Sequence, residues 1–242
     1  MPEPIIFYDL PGNAAKDIAW SPNTWKARFA LNMKGVPYRT VWVEYPEIAD
    51  LAKKLGAHHT SIRDEKPHYT LPMIYDPSTG RAISDSYKIA LYLDATYPSP
   101  HVLFPAGTES FQAIFTDIFE ERVGIWIYRI LALDSMRQLP PRSQAYFRQT
   151  REVLLGGRLE DIAPEGEGVR DLYMTGDMPL FSDAVIASYA NWIKRVLGTD
   201  SKEWNDLMVA EEGWWAKLIQ AFDTWEVVDK EWLEVALLSP SV

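Results

Sequence analysis

A serine followed by a proline, Ser21-Pro22, begins a helix that could hold a reactive anion. Serine is favoured as a helix cap and proline as the first helical residue, and apolar residues then recur at helical spacing as far as Met33. The free N–H groups and partial positive charge of a helix N-terminus lower the pKa of a thiol held there, and a serine hydroxyl can donate a hydrogen bond to the sulfur. The same pair also fits an ordinary helix cap, which is its commoner role.

Two further motifs could bind a peptide. Leu71-Pro72-Met73 opens a strand with a proline. If the bond before Pro72 is cis, the N–H and C=O of Leu71 turn outward toward an extended ligand. Ser84-Asp85-Ser86 precedes an apolar helix, so Ser86 could bind a ligand carboxylate while Asp85 faces a ligand ammonium. Taken singly, each motif has a commoner structural role: Pro72 as a proline at a strand edge, and Ser84-Asp85-Ser86 as a helix cap.

The elements that begin at these motifs follow the order β-α-β-α-β-β-α over the first 98 residues. The predicted strands are 5–9, 40–45, 71–76 and 80–84, and the predicted helices are 22–34, 46–55 and 86–97. Residues 57–70 are polar and predict a loop. This order gives a mixed four-stranded sheet with helices on its faces and brings the three motifs near one edge. Together they offer a thiolate site, a backbone ladder and an amino-acid clamp, which match the groups of γ-Glu-Cys-Gly.

The second half of the chain predicts helices alone. One long helical pattern covers 108–137, and others cover 142–162, 182–197 and 211–226. Prolines at 98, 100 and 105 separate the two halves. We therefore predict an α/β domain at residues 1–98 and an all-α domain at 108–242.

Composition narrows the chemistry. The 242 residues include no cysteine, which excludes disulfides, thiolate metal sites and cysteine nucleophiles, so any reactive thiol must belong to a substrate or cofactor. His58, His59 and His68 lie close together in the sequence. No helix face or strand pair gathers them with a carboxylate, so we expect no metal site.

Charge and hydropathy bear on partners and location. A formal net charge of −10 disfavours nucleic acid, and no cluster of lysine and arginine suggests an anionic membrane surface. No apolar run approaches the roughly 20 residues that span a bilayer. The first residues, MPEPIIFYDL, do not have the pattern of a signal peptide, so we expect a cytoplasmic protein.

Taken together, these motifs resemble those of the cytosolic glutathione transferase superfamily, in which a thioredoxin-like domain precedes a helical one. The resemblance rests on Leu71-Pro72-Met73-Ile74, on Ser84-Asp85-Ser86 and on the helical run 86–97. The segment Ser21-Pro22-Asn23-Thr24-Trp25-Lys26 is similar to bacterial glutathione-dependent β-etherases and closer to the related fungal FuA class.

The resemblance implies a role for each motif. Ser21 would activate the glutathione thiol, with Asn23 as a second hydrogen-bond donor. Backbone groups of Leu71 and Met73, beside a cis Pro72, would hold the cysteinyl unit. Asp85 and Ser86 would hold the γ-glutamyl end. The glycine carboxylate would meet a basic side chain before the third strand, for which His59 is a candidate and His58 and Lys66 stay open.

The same resemblance leaves the electrophile site less defined. It would lie between the domains, beside the helix that begins near residue 108. Phe115, Phe119 and Trp126 share a face of that helix, and they fit either core or dimer packing or contact with a ligand. Residues 227–242 could cover the site or pack on the surface.

Two departures from the superfamily limit what can be carried over. Omega-class relatives have a cysteine where this chain has Ser21, which argues against disulfide exchange. Leu180-Phe181-Ser182-Asp183 keeps the aspartate expected at the sixth helix but replaces the usual hydroxyl with leucine, so Asp183 would buttress the helix start and Ser182 could cap it.

Two functions follow from these observations. One is a homodimeric glutathione transferase that attacks hydrophobic or aromatic electrophiles, with peroxidase or β-etherase-type activity as related chemistry. The other is a ligandin that binds polyphenols and other aromatic molecules with little turnover. A third function, a non-catalytic interaction module, is disfavoured because such modules usually carry long extra tails, whereas this sequence ends soon after the predicted helical domain.

Overall fold

Four strands of the first half and one two-residue strand near the C-terminus form one mixed sheet among the described residues. The computed structural model describes residues 3–15, 17–63, 65–162, 181–229 and 232–233. The described strands are β1 (Ile5–Asp9), β2 (Tyr38–Trp42), β3 (Ser61–Arg63), β4 (Lys66–His68), β5 (Met73–Asp76), β6 (Arg81–Ser84) and β7 (Trp232–Leu233). The sheet has the order β6-β5-β1-β2-β7, with β1 parallel to β2 and antiparallel to β5. The predicted mixed four-stranded sheet is confirmed, and β7 extends it at one edge.

Helices cover the sheet and make up the second half. The described helices are α1 (Pro22–Lys34), α2 (Ile48–Leu55), α3 (Ser86–Thr96), α4 (Glu109–Phe119), α5 (Ile125–Gln138), α6 (Pro141–Leu155), α7 (Phe181–Leu197), α8 (Lys202–Val209) and α9 (Trp214–Phe222). α1 is packed between α3 and α7, which explains why most of its side chains are buried. No helix in the described ranges combines the length and the apolar character needed to cross a membrane.

Three predicted elements differ from the observed ones. The loop predicted over 57–70 contains the hairpin of β3 and β4, whose short, exposed strands carry no hydrophobic alternation. The helix predicted over 142–162 ends at Leu155, because Gly156 adopts a left-handed conformation (φ 74°). The helix predicted over 211–226 is shorter than expected: α9 covers Trp214–Phe222, with 3₁₀ turns at Ala210–Gly213 and Asp223–Trp225 on either side. The separate helix α8 before it was not predicted.

The long helix predicted over 108–137 contains a change of helical type. Glu120–Gly124 form a π-helical segment between α4 and α5. At Gly124 a β-carbon would lie 2.8 Å from the Tyr189 hydroxyl, so a larger residue would have to displace this side chain where the segment packs on α7.

A buried ion cluster ties α1 to the sheet and to the end of the described chain. The Arg28 Nη2 donates to the Asp9 carboxylate at 2.8 Å, and both residues are fully buried. Its Nη1 donates to Asp229 at 3.0 Å. Asp229 also accepts hydrogen bonds from the backbone N–H of Thr40, at 2.7 Å, and from its hydroxyl.

The described part of the C-terminal segment joins the sheet. β7 pairs in parallel with β2, with Thr40 opposite Trp232 and Val41 opposite Leu233. The sequence predicts that this segment covers the site or packs on the surface. Trp232 and Leu233 instead form an edge strand of the sheet. Residues 230–231 and 234–242 lie outside the described ranges, as does Leu180.

Candidate active site

A cavity of about 490 Å³ lies between the starts of α1 and α3, the β3–β4 hairpin and the helices of the second half. Six of the eight predicted site residues line it, namely Ser21, Asn23, Leu71, Pro72, Asp85 and Ser86. Met73 and His59 do not line it. The cavity is the place where the three sequence motifs meet.

Ser21 occupies the N-cap position of α1 but does not use its side chain as a cap. Its backbone is extended (φ −68°, ψ 126°), and the hydroxyl forms no capping hydrogen bond. The backbone carbonyl instead accepts hydrogen bonds from the Trp25 N–H and the Thr24 hydroxyl, both at 3.0 Å. Ser21 is only 3% exposed and lines the cavity, and no described group forms a hydrogen bond with its hydroxyl.

The loop that leads to Ser21 is held from several sides. Asp17 and Ile18 both have left-handed backbones (φ 55° and 66°), which is costly for a β-branched residue such as isoleucine. The Ala19 carbonyl accepts hydrogen bonds from the Trp25 Nε1 and the Arg195 Nη1, each at 3.3 Å. A side chain of α7 therefore helps to fix the residue two positions before Ser21.

The second and third motifs are joined to each other. The Leu71-Pro72 peptide bond is cis, as the resemblance implies. The Asp85 N–H donates to the Pro72 carbonyl at 3.3 Å. Met73 is fully buried within β5, where it pairs with Tyr8 and Ser84, so its side chain serves the core.

Asp85 combines a capping role with an unusual backbone. One oxygen of its carboxylate accepts the Lys88 N–H at 3.0 Å and so caps α3. Its φ of 85° is rare outside glycine and costs about 1–3 kcal/mol, and such strain is concentrated at functional sites. Ser86 follows as the first residue of α3, where N–H groups are free for an anion.

The basic residues of the cavity are not the predicted ones. His59 is exposed, with its ring centroid 6.3 Å from that of Tyr69, and neither it, His58 nor Lys66 lines the cavity. Arg63 and His68 of the hairpin line it instead. Burial, together with the positive charges of Arg63 and Arg151, lowers the pKa of His68. The role given to His59 stays a prediction.

The second wall of the cavity comes from the helical half and uses residues that the sequence did not single out. These residues are Ala113, Thr116, Asp117, Glu120, Tyr128, Tyr146, Arg151 and Leu154. Phe115, Phe119 and Trp126 are absent from the lining. Phe119 packs in the core, 5.2 Å from the ring of Tyr189, and Trp126 is 47% exposed.

An ion pair links the two walls. Lys26, one turn beyond Ser21, is buried and pairs with Glu120 at the start of the π-helical segment. Both residues line the cavity. No sequence signal connects Lys26 with Glu120, which lies 94 positions away.

Comparisons with known proteins agree on one family. The model of the glutathione S-transferase N-terminal domain matches residues 17–101, and that of the C-terminal domain matches 110–172 and 167–225. A glutathione S-transferase of Ceriporiopsis subvermispora, solved in complex with glutathione, is 45% identical with a TM-score of 0.88, covering 94% of this chain and 100% of that one. GSTFuA3 of Phanerochaete chrysosporium is 42% identical with a TM-score of 0.88, covering 95% of this chain and 100% of that one. The glutathione S-transferase-like protein ustS of Aspergillus flavus is 28% identical over 94% of this chain and 92% of its own length.

Proposed function

Because the chain belongs to the glutathione S-transferase family, we propose that it binds glutathione and transfers its thiolate to hydrophobic or aromatic electrophiles, with the Ser21 hydroxyl as activator. The observation that carries the proposal is the Ser21 hydroxyl, which lies at a helix start, lines the cavity and forms no cap. The similar Ceriporiopsis protein, whose structure contains glutathione, supports the choice of thiol.

The proposed reaction uses few protein groups. The glutathione thiol loses its proton to solvent, and the Ser21 hydroxyl and the N-terminal dipole of α1 stabilise the thiolate. The sulfur then forms a bond to the electrophilic carbon, and the leaving group departs with its electron pair. With a hydroperoxide, the thiolate would attack the outer oxygen and release an alkoxide, and a second glutathione would condense with the resulting sulfenic acid to give the disulfide and water. With a β-aryl ether, the thiolate would attack the alkyl carbon and release a phenolate.

The rest of the cavity provides contacts for the tripeptide. We assign the cysteinyl backbone to Leu71, beside Pro72, and the γ-glutamyl end to Asp85 and Ser86, as the motifs predict. Asn23 would be a second donor near the sulfur. For the glycine carboxylate we now favour Arg63 and His68 over His59, because they line the cavity and precede β5.

Two serines at helix starts give a matched test. Ser201 caps α8 by accepting the Trp204 N–H at 3.2 Å, whereas Ser21 caps nothing. We expect Ser21→Ala to reduce kcat/KM by about 100-fold, as for the loss of a donor to a developing anion, and to raise the pKa of bound glutathione with little change in stability. Ser201→Ala should cost about 1 kcal/mol of stability and leave turnover intact. Full turnover of isothiocyanates and hydroperoxides by Ser21→Ala would disprove the role of Ser21.

A second cavity favours ligandin behaviour as an additional role. It has a volume of about 140 Å³ and lies between α5, α7 and α8, with Phe119, Val123 and Ile127 among its lining residues. We propose that single-ring aromatic molecules bind there without turnover, since a cavity of this size holds about one benzene ring. Thermal-shift titration with simple phenols should show stabilisation that persists when glutathione fills the first cavity, and loss of the shift on adding glutathione would contradict a separate site.

Assembly and location complete the proposal. Phe111, Ile114 and Ile118 present an exposed apolar stripe along α4, which suits a symmetric contact with a second copy of the chain. Light scattering should report a homodimer that Ile118→Glu converts to monomer.

Since glutathione keeps the cytosol reducing, we propose that the protein acts in the cytoplasm.

A further inference from the structure

Arg151 is a cation with no acidic partner among the described residues, although the protein is strongly acidic. It lines the main cavity from α6, and no described carboxylate forms an ion pair with it. Arg148, less than one turn earlier on the same helix, pairs with both Glu152 and Glu160 at 2.8 Å. The formal net charge of −10 makes the contrast sharper, because carboxylates are plentiful in the sequence and none in the described ranges pairs with Arg151.

Neutral groups hold the Arg151 guanidinium in place. Its Nε donates to the Tyr128 hydroxyl at 2.7 Å, and its Nη1 donates to the Thr150 hydroxyl at 2.9 Å. The guanidinium carbon lies 5.0 Å from the centre of the Phe147 ring and 5.4 Å from that of Tyr45. A guanidinium has five N–H donors, so these bonds leave donors free on a group that is already oriented.

Aromatic rings surround this cation on the cavity side. Tyr45 and Tyr146 are nearly parallel, with ring centroids 5.6 Å apart and planes 16° apart. Both line the cavity, as does Tyr128. A flat ring that carries an anionic group would find stacking surfaces and a fixed cation together at this wall.

Resting on the proposed function, we infer that the electrophile is an aromatic carboxylic acid whose carboxylate binds Arg151. We assign Arg151 to the electrophile and not to glutathione because it belongs to α6 of the helical half, whereas Arg63 and His68, the candidate partners of the glycine carboxylate, belong to the hairpin of the first half. The charge of Arg151 reaches His68, so the KM for glutathione is measured beside the electrophile ratio.

The test compares two electrophiles of nearly the same size and shape that differ in charge, and the comparison of variants removes their difference in intrinsic reactivity. 4-Chloro-3-nitrobenzoate and 4-chloro-3-nitrobenzamide both lose chloride to the glutathione thiolate, and the ratio of their kcat/KM values cancels effects common to both. We expect Arg151→Met to lower the acid-to-amide ratio by about 10- to 100-fold, the range for a hydrogen bond between charged groups. Arg148→Met is the matched control and should leave the ratio unchanged. Arg151→Lys should retain part of it.

The outcomes separate this inference from the activation by Ser21. Ser21→Ala should lower the turnover of both electrophiles equally and leave the ratio as it is. An unchanged ratio in Arg151→Met would overturn the inference, as would a tenfold rise in the KM for glutathione, which would place Arg151 at the glycine carboxylate.

Equilibrium binding gives a readout that does not require turnover. Quenching of tryptophan fluorescence by 3-nitrobenzoate and 3-nitrobenzamide reports the same difference in charge without a leaving group. Selective loss of nitrobenzoate binding in Arg151→Met supports the inference even if neither chloro compound reacts, and equal binding of the two ligands by this variant and the wild type refutes it. If Arg151→Met does not fold, Arg63→Met is measured in its place. A fall in its acid-to-amide ratio would assign the carboxylate to the hairpin and overturn the inference, and an unchanged ratio would support Arg151.

Discussion

The two walls of the cavity are built in different ways. The wall from the first half consists largely of residues at the beginnings of elements, such as Ser21 before α1 and Ser86 at the start of α3. The wall from the second half consists of residues on the faces of helices, such as Thr116 and Arg151. Local sequence signals determine where an element begins, whereas packing and helical phase determine which face a residue occupies.

The π-helical segment shows how sensitive the second wall is to phase. A π turn holds about one residue more than an α turn, so it rotates all the residues that follow. In an uninterrupted helix Trp126 would share a face with Phe119. In the structure Val123 and Ile127 line the second cavity with Phe119, and Trp126 is turned outward.

Loss of Arg28 should have the largest effect and would test whether the first wall depends only on local signals. Arg28→Met leaves the buried Asp9 carboxylate without its cation, so we expect a loss of about 3–5 kcal/mol in the free energy of unfolding. Urea denaturation followed by circular dichroism measures it. Asp229→Asn, nearer the surface, should cost less. A loss below about 1 kcal/mol for Arg28→Met would mean that α1 is held by its local signals alone.

Crowding the π-helical segment should have the next largest effect and tests the second wall. Gly124→Ala places a methyl group against the buried Tyr189 ring, and overpacking of this kind costs about 1–3 kcal/mol. Thermal or urea unfolding gives the value. Adding Tyr189→Phe removes the nearest atom and should restore part of the loss, while Glu121→Ala, exposed in the same segment, should change stability little. No loss in Gly124→Ala would mean that the helices shift freely.

The smallest expected change in free energy is at Asp85, where function and stability should separate. Asparagine keeps an oxygen for the cap and tolerates a positive φ, but it removes the negative charge. We expect Asp85→Asn to raise the KM for glutathione about tenfold, equivalent to about 1.4 kcal/mol, with an unchanged melting temperature. A glutathione analogue lacking the amino group should bind both forms equally. An unchanged KM would remove Asp85 from the γ-glutamyl contact.

The contrast between the walls also explains how much could be predicted from the sequence. The sheet, its mixed strand order, the helical second half and the resemblance to the fungal FuA class are confirmed, because alternation, caps and prolines are local signals. Lys26 and Glu120 were missed because their pairing depends on how two halves of the chain pack. Arg63 and His68 were missed because the hairpin that positions them has short polar strands. The roles assigned to Ser21 and its neighbours stay predictions for the experiments above.

The two-residue strand β7 also has a consequence for synthesis of the chain. About 190 residues separate it from β2, the strand that it covers. At roughly 5–20 residues per second, the outer edge of β2 would remain unpaired on the ribosome for roughly 10–40 s after it emerges. An open edge of this kind can pair with other nascent chains, so the nascent sheet is most exposed to aggregation while the helical half is still being translated.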